Sequence, residues 1–126
     1  MTPPGLTVLL VALGAAVGAP LRYLTDRFIQ SKVPGASFPW GTFIVNVTGS
    51  FLLGMIAAAG VHGGLDDEVV ALGGVGFCGA LSTYSTFGYE TLRLLEGDAR
   101  WVALANVVVS VTAGIAAAAL GWWLAW

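Results

Sequence analysis

Four long apolar stretches, separated by three short polar connectors, constrain this chain more than any other feature of its sequence. They run roughly over residues 6–24, 40–60, 69–95 and 101–126, and each supplies the ~20 residues that a helix needs to cross a hydrocarbon core. Of the 126 residues, 57% are hydrophobic and 10% charged, and a soluble domain of that size has no interior large enough to hide so much apolar surface. The expected fold is therefore all-α: one transmembrane domain over residues 1–126 with four membrane-spanning helices. The first connector, Thr25–Pro39, holds Pro34, Gly35 and Pro39, which break a helix; the other two read VHGGLDDE and EGDAR. Connectors this short make neighbouring helices antiparallel. No basic stretch precedes the first apolar segment, MTPPGLTVLLVALGAAVGAP, so it is expected to be a retained helix and not a cleaved signal.

Charge then orients the spans. Both termini fall on one side, together with His62, Asp66, Asp67 and Glu68. The opposite side receives Arg22, Arg27, Lys32, Arg93 and Arg100, all five basic residues of the chain. The positive-inside rule puts that basic side in the cytoplasm and both termini outside, in a multi-pass protein of the inner (plasma) membrane. Tyr23, Trp40 and Trp101 flank the basic side, and Trp122, Trp123 and Trp126 the other, as interfacial anchors. A net charge of −2 argues against nucleic-acid binding, and the lone Cys78 cannot form an internal disulfide or a multi-cysteine metal site. No nucleophile–base pair is visible and His62 stands alone in a connector, so no enzyme is expected.

Small and polar residues recur at every fourth position along three spans. Gly14, Gly18 and Arg22 line one face of the first; the glycine pair permits close helix approach. Arg22 either snorkels to water or pairs with Asp26 one turn on. The second span carries Thr42, Asn46, Ser50 and Gly54, and the fourth Asn106, Ser110, Gly114 and Ala118. An amide as deep as that of Asn46 requires a partner or lines a wet path. Two matching stripes would flank a narrow polar track.

The third span contains GFCGALSTYSTF, residues 76–87. Gly73, Gly74, Gly76 and Gly79 weaken the helix, and Ser82, Thr83, Ser85 and Thr86 follow at the weak point. Backbone groups freed at membrane depth must line a cavity or hold an ion. Tyr84 and Phe87 share a face; Glu90 lies three residues further on, with Arg93 as a candidate partner.

Four ordered blocks, GAAVGAPLRY, GTFIVNVTGSFLLG, GFCGALSTYSTFGYE and NVVVS, resemble the CrcB/Fluc family of small bacterial fluoride channels over nearly the whole chain. The resemblance implies an antiparallel, dual-topology dimer whose broken third helices meet at its centre. The carbonyls of Gly79 and Ser82 from each subunit would hold a structural sodium ion (Na+) there, and hard oxygen ligands suit a hard cation. Two pores would conduct fluoride passively out of the cytoplasm, lowering its toxicity. By motif position Asn46, Ser110, Thr83, Tyr84, Phe87 and Glu90 would line or flank them, with Arg22, Gly14 and Gly18 structural. Ring edges carry positive charge and can meet a small anion without trapping it.

Two departures from the family pattern stand out. The first aromatic position, usually phenylalanine within TTFSTF, is Tyr84 within STYSTF. The one-sided basic residues also fit poorly with a subunit that inserts both ways. The partner is accordingly either a second copy in antiparallel orientation or an oppositely oriented homologue, with membrane lipid around the pair. A small multidrug-type exporter is the nearest alternative, but it would need a glutamate in the first span, which has no acidic residue. A non-transporting assembly subunit would not explain the glycine-then-hydroxyl run.

Overall fold

The computed structural model describes residues 2–126, and among them the secondary structure is entirely helical. Four helical spans are long and apolar enough to cross a membrane: Pro4–Lys32, Trp40–Val61, Asp67–Glu96 and Arg100–Leu124. The first is α1 (Pro4–Lys32), which starts with proline in its first turn, where a missing N–H costs nothing. It runs well past the expected end near Leu24, because no glycine or proline interrupts the chain until Pro34. Pro34 excludes its predecessor Val33 from helical geometry (φ −129°, ψ 58°), and Gly35 turns the chain at φ 79°. Then follows α2 (Trp40–Val61), entered through a cluster of Phe38, Trp40 and Phe43 whose ring centroids lie 4.7–5.9 Å apart.

The third span is composite. A short α3 (Asp67–Val69) leads into π1 (Val70–Cys78), nine residues of wider π-helix in which, at its end, the Gly79 N–H reaches back to the Gly74 carbonyl. A single turn, α4 (Gly79–Leu81), follows; Ser82 is extended (φ −79°, ψ 157°), and helix resumes as α5 (Ser85–Glu96). The fourth span is α6 (Arg100–Leu124). Beyond it, Trp126 meets the edge of His62 at a centroid distance of 3.7 Å, tying the C-terminal end to the second connector.

Two glycine-mediated contacts hold the bundle. A Cβ on Gly14 would lie on the Leu72 carbonyl oxygen, one on Gly18 on the Phe77 carbonyl oxygen, and one on Gly76 at 3.0 Å from the Cα of Val11. Thus α1 and π1 touch backbone to backbone. Likewise α2 and α6 touch where a Cβ on Gly54 would strike the Ala118 carbonyl and one on Gly121 the Phe51 carbonyl. In lipid, association has no hydrophobic drive of its own, so close packing of small residues must supply it. The buried apolar residues are correspondingly small: Val45, Ala58, Ala71, Cys78, Leu81 and Ala103. The large ones, such as Val8, Leu9, Val17, Phe28 and Ile115, face outward, as a lipid surround requires.

Candidate functional site

The interval between α4 and α5 releases backbone groups, and α2 answers them. The Thr83 N–H, which in a continuous helix would bond to the Gly79 carbonyl, donates instead to Asn46 Oδ1 at 2.6 Å. Asn46 Nδ2 in turn donates to the Thr83 carbonyl at 3.0 Å. One side-chain amide therefore satisfies both backbone groups of one residue, which is what an amide at this depth needs. The Thr86 N–H, the normal partner of the Ser82 carbonyl, donates to Thr83 Oγ1 at 3.2 Å and starts α5. As a result the carbonyls of Gly79 and Ser82 have both lost their usual helical donors.

A groove of about 350 Å³ opens beside this interval. It is walled by Asn46 and Ser50 of α2, by Ser82, Thr83, Tyr84 and Phe87, and by Ser110 and Gly114 of α6. The two polar stripes do face one another: a Cβ on Gly114 would sit 3.6 Å from Ser50 Oγ. One N–H of the Asn46 amide remains beyond its bond to Thr83. Tyr84 and Phe87 have centroids 6.4 Å apart with rings inclined at 43°. Tyr84 is 87% exposed, so its ring projects away from the rest of the chain. Gly79 and Gly88 are exposed as well, with nothing within 4 Å of an added Cβ.

Glu90 lies elsewhere. It lines a separate cleft of about 300 Å³ with Gln30, Ser37 and Arg93. Its carboxylate accepts a hydrogen bond from Thr42 Oγ1, on a residue only 2% exposed. The expected Arg93 is thus a neighbour across the cleft, while the hydrogen-bond partner comes from α2. Arg22 and Asp26 border a cavity of about 160 Å³ together with Thr42, Thr83 and Thr86. The Arg22–Asp26 pair, one of the two outcomes expected for Arg22, is not made: Arg22 Nε and Asp26 Oδ1 are both buried with no hydrogen-bond partner among the described residues. The Asp26 carboxylate lies against Gly41, where any Cβ would overlap it. Gly14 and Gly18 sit at the α1–π1 contact, away from the groove.

Sequence reasoning missed Thr91. It accepts from Asn106 Nδ2 at 2.9 Å and donates to the Phe87 carbonyl at 2.8 Å, linking α6 to α5 behind the groove. A buried asparagine signals that some partner exists, but spacing alone does not say which.

Residues 9–122 match the family model described as CrcB-like protein, Camphor Resistance (CrcB). The chain is 59% identical over 118 residues to the fluoride-specific ion channel FluC 1 of Frankia casuarinae, covering 90% of this chain and 91% of the relative. It is 54% identical over 117 residues to FluC 1 of Streptomyces avermitilis, covering 93% and 94%. It is 50% identical over 105 residues to FluC of Shewanella frigidimarina, covering 83% and 84%.

Proposed function

Because this chain belongs to the CrcB-like family, we propose that it is a passive, fluoride-specific ion channel of the cell membrane. The observation that carries this reading is the groove itself. Its polar groups are an amide N–H and hydroxyls, set beside two aromatic rings, with no lysine or arginine among them. Such a wall replaces part of an anion's hydration shell without holding it by a fixed charge, and conduction needs binding weak enough for exit.

The groove is open on one side, and Tyr84, which lines it, is exposed, as are Gly79 and Gly88 on the same span. A second subunit in antiparallel orientation would close it and bring the two interrupted third spans together at the dimer centre. The residues present fit a cation there. The carbonyl oxygens of Gly79 and Ser82 lack their helical donors because the Thr83 and Thr86 N–H groups are engaged by Asn46 Oδ1 and Thr83 Oγ1. Four such oxygens from two subunits are hard donors suited to Na+, whose charge would raise the potential near the anion path. Asn46 would then both hold the interval open and offer its remaining N–H to the ion. Glu90, bonded to Thr42, would flank the path at the basic end.

Arg22, Arg27, Lys32, Arg93 and Arg100 would face the cytoplasm. On that reading the subunit inserts mainly one way and pairs with an oppositely oriented homologue. Reconstitution into liposomes loaded with fluoride, read by a fluoride electrode with chloride as control, tests the function. Fluoride efflux without chloride efflux is expected from this chain, alone or with its homologue. A folded dimer that passes neither ion overturns the channel reading.

A further inference from the structure

Behind the groove a chain of three hydrogen bonds runs from Ser110 to the backbone of Phe87. Ser110 Oγ donates to Asn106 Oδ1 at 3.0 Å, Asn106 Nδ2 to Thr91 Oγ1 at 2.9 Å, and Thr91 Oγ1 to the Phe87 carbonyl at 2.8 Å. The direction is dictated from its far end. A carbonyl can only accept, so Thr91 must donate to it; the Thr91 oxygen then accepts from the amide nitrogen of Asn106, and the amide oxygen is left to Ser110. A serine has one O–H. That proton is committed to Asn106, so Ser110 presents lone pairs, and no donor, to the groove it lines.

We propose that Asn106 is a positioning residue that sets the polarity of the Ser110 hydroxyl and thereby weakens its hold on the conducted anion. The proposal rests on the channel reading above. For Ser110 to donate to an anion, its O–H must leave Asn106 Oδ1. Asn106 is 1% exposed, so no water replaces the lost bond, and the amide oxygen stands unpartnered while the ion is held. Contact with the ion is therefore an exchange of one hydrogen bond for another and not a net gain. The bond chain also couples this exchange to the Phe87 carbonyl, on the residue whose ring lines the same groove. Reversal of the chain is opposed at the Thr91–Phe87 end, because an amide oxygen turned toward Thr91 would draw its proton off the carbonyl.

The test is the dependence of initial fluoride efflux on loaded fluoride concentration, for wild type, Asn106→Leu, Ser110→Ala and the double variant. Freed from Asn106, Ser110 becomes an uncommitted donor. Asn106→Leu is expected to lower the half-saturating fluoride concentration by roughly two- to tenfold, the span of one exchanged hydrogen bond, and to lower the maximal rate. In the Ser110→Ala background the same substitution should leave half-saturation unchanged. A merely structural role would shift both backgrounds alike, and that result, or an unchanged or raised half-saturation in Asn106→Leu alone, overturns the proposal. Should Asn106→Leu fail to elute as a folded protein, Asn106→Ala replaces it; it removes the same amide oxygen from Ser110, should shift half-saturation in the same direction, and no shift there overturns the proposal equally. Failure of the channel reading is distinct, since wild type would then pass no fluoride at all.

Discussion

Asn46 and Thr83 are joined twice, by a bond from the Thr83 N–H to Asn46 Oδ1 at 2.6 Å and one from Asn46 Nδ2 to the Thr83 carbonyl at 3.0 Å. A residue that lines the groove therefore also satisfies the backbone groups that the third span leaves free beside Ser82. Asn46→Ala strands two backbone groups in a part-buried site, at about 1–3 kcal/mol each. A loss of about 2 kcal/mol or more in detergent is expected, together with loss of fluoride efflux. Asn46→Gln keeps both an acceptor and a donor on a longer stem, so it should melt above Asn46→Ala. Thermal unfolding followed by tryptophan fluorescence checks the order; an Asn46→Ala protein as stable as wild type would refute the clamp.

Glycine substitutions should separate by what lies beyond the Cα. Gly14→Ala, Gly54→Ala and Gly121→Ala each drive a methyl into a carbonyl of a facing helix, which cannot move as a side-chain tip can. Each should cost about 1–3 kcal/mol. Gly5→Ala meets no described atom within 4 Å and lies in the first turn of α1, so it should be neutral or gain up to ~1 kcal/mol from helix propensity. Equal melting temperatures for Gly5→Ala and Gly54→Ala would contradict the packing described.

Thr42 and Glu90 should behave as one unit. Thr42→Val removes the hydroxyl that donates to the carboxylate, and Glu90→Leu removes the acceptor. Bonded pairs show coupling of ~0.5–3 kcal/mol in a double-mutant cycle, and the stability losses of the two single variants should sum to more than that of the double. Strict additivity would mean that the bond contributes nothing.

Tyr84 donates to no group among the described residues and is 87% exposed. Tyr84→Phe should consequently leave the stability of the isolated subunit within about 0.5 kcal/mol, as for an exposed site. Its effect is expected in conduction, with fluoride selectivity kept and the efflux rate altered. Indistinguishable rates for the two proteins would show that the hydroxyl does not reach the ion.

Insertion follows the basic residues in the proposed arrangement. Single cysteines at Ser37 and at Gly64, both exposed, report the first and second connectors in a Cys78→Ala background. An impermeant thiol reagent added to intact cells should label the Gly64 position and spare the Ser37 position. Equal labelling of both would mean that the subunit inserts in both directions.

The number of spans, their order and their apolar character were legible in the sequence, because a bilayer demands long helices and the chain has no other way to hide its surface. The glycines of the third span marked a departure from regular helix over residues 76–82, whereas the chain is helical through Leu81, as π-helix over Val70–Cys78, and turns extended at Ser82. The partners were not legible. Arg22 with Asp26 and Glu90 with Arg93 are the pairs that helical spacing favours, yet Glu90 is met by Thr42 across the bundle and Asp26 lies against Gly41. Asn106 stood in the polar stripe, but its bond to Thr91 required α5 and α6 to be set side by side first.

The sequence by itself determined an all-helical membrane protein and the residues with groups to satisfy, since spans and buried polar groups obey local rules of length and solvation. Only the tertiary structure decided which polar group satisfies which. Glycine contacts at Gly14, Gly18, Gly54 and Gly121 fix how closely and in what register the helices meet. That register, which no single segment encodes, is what brings Asn46 to Thr83 and turns the Ser110 proton away from the groove.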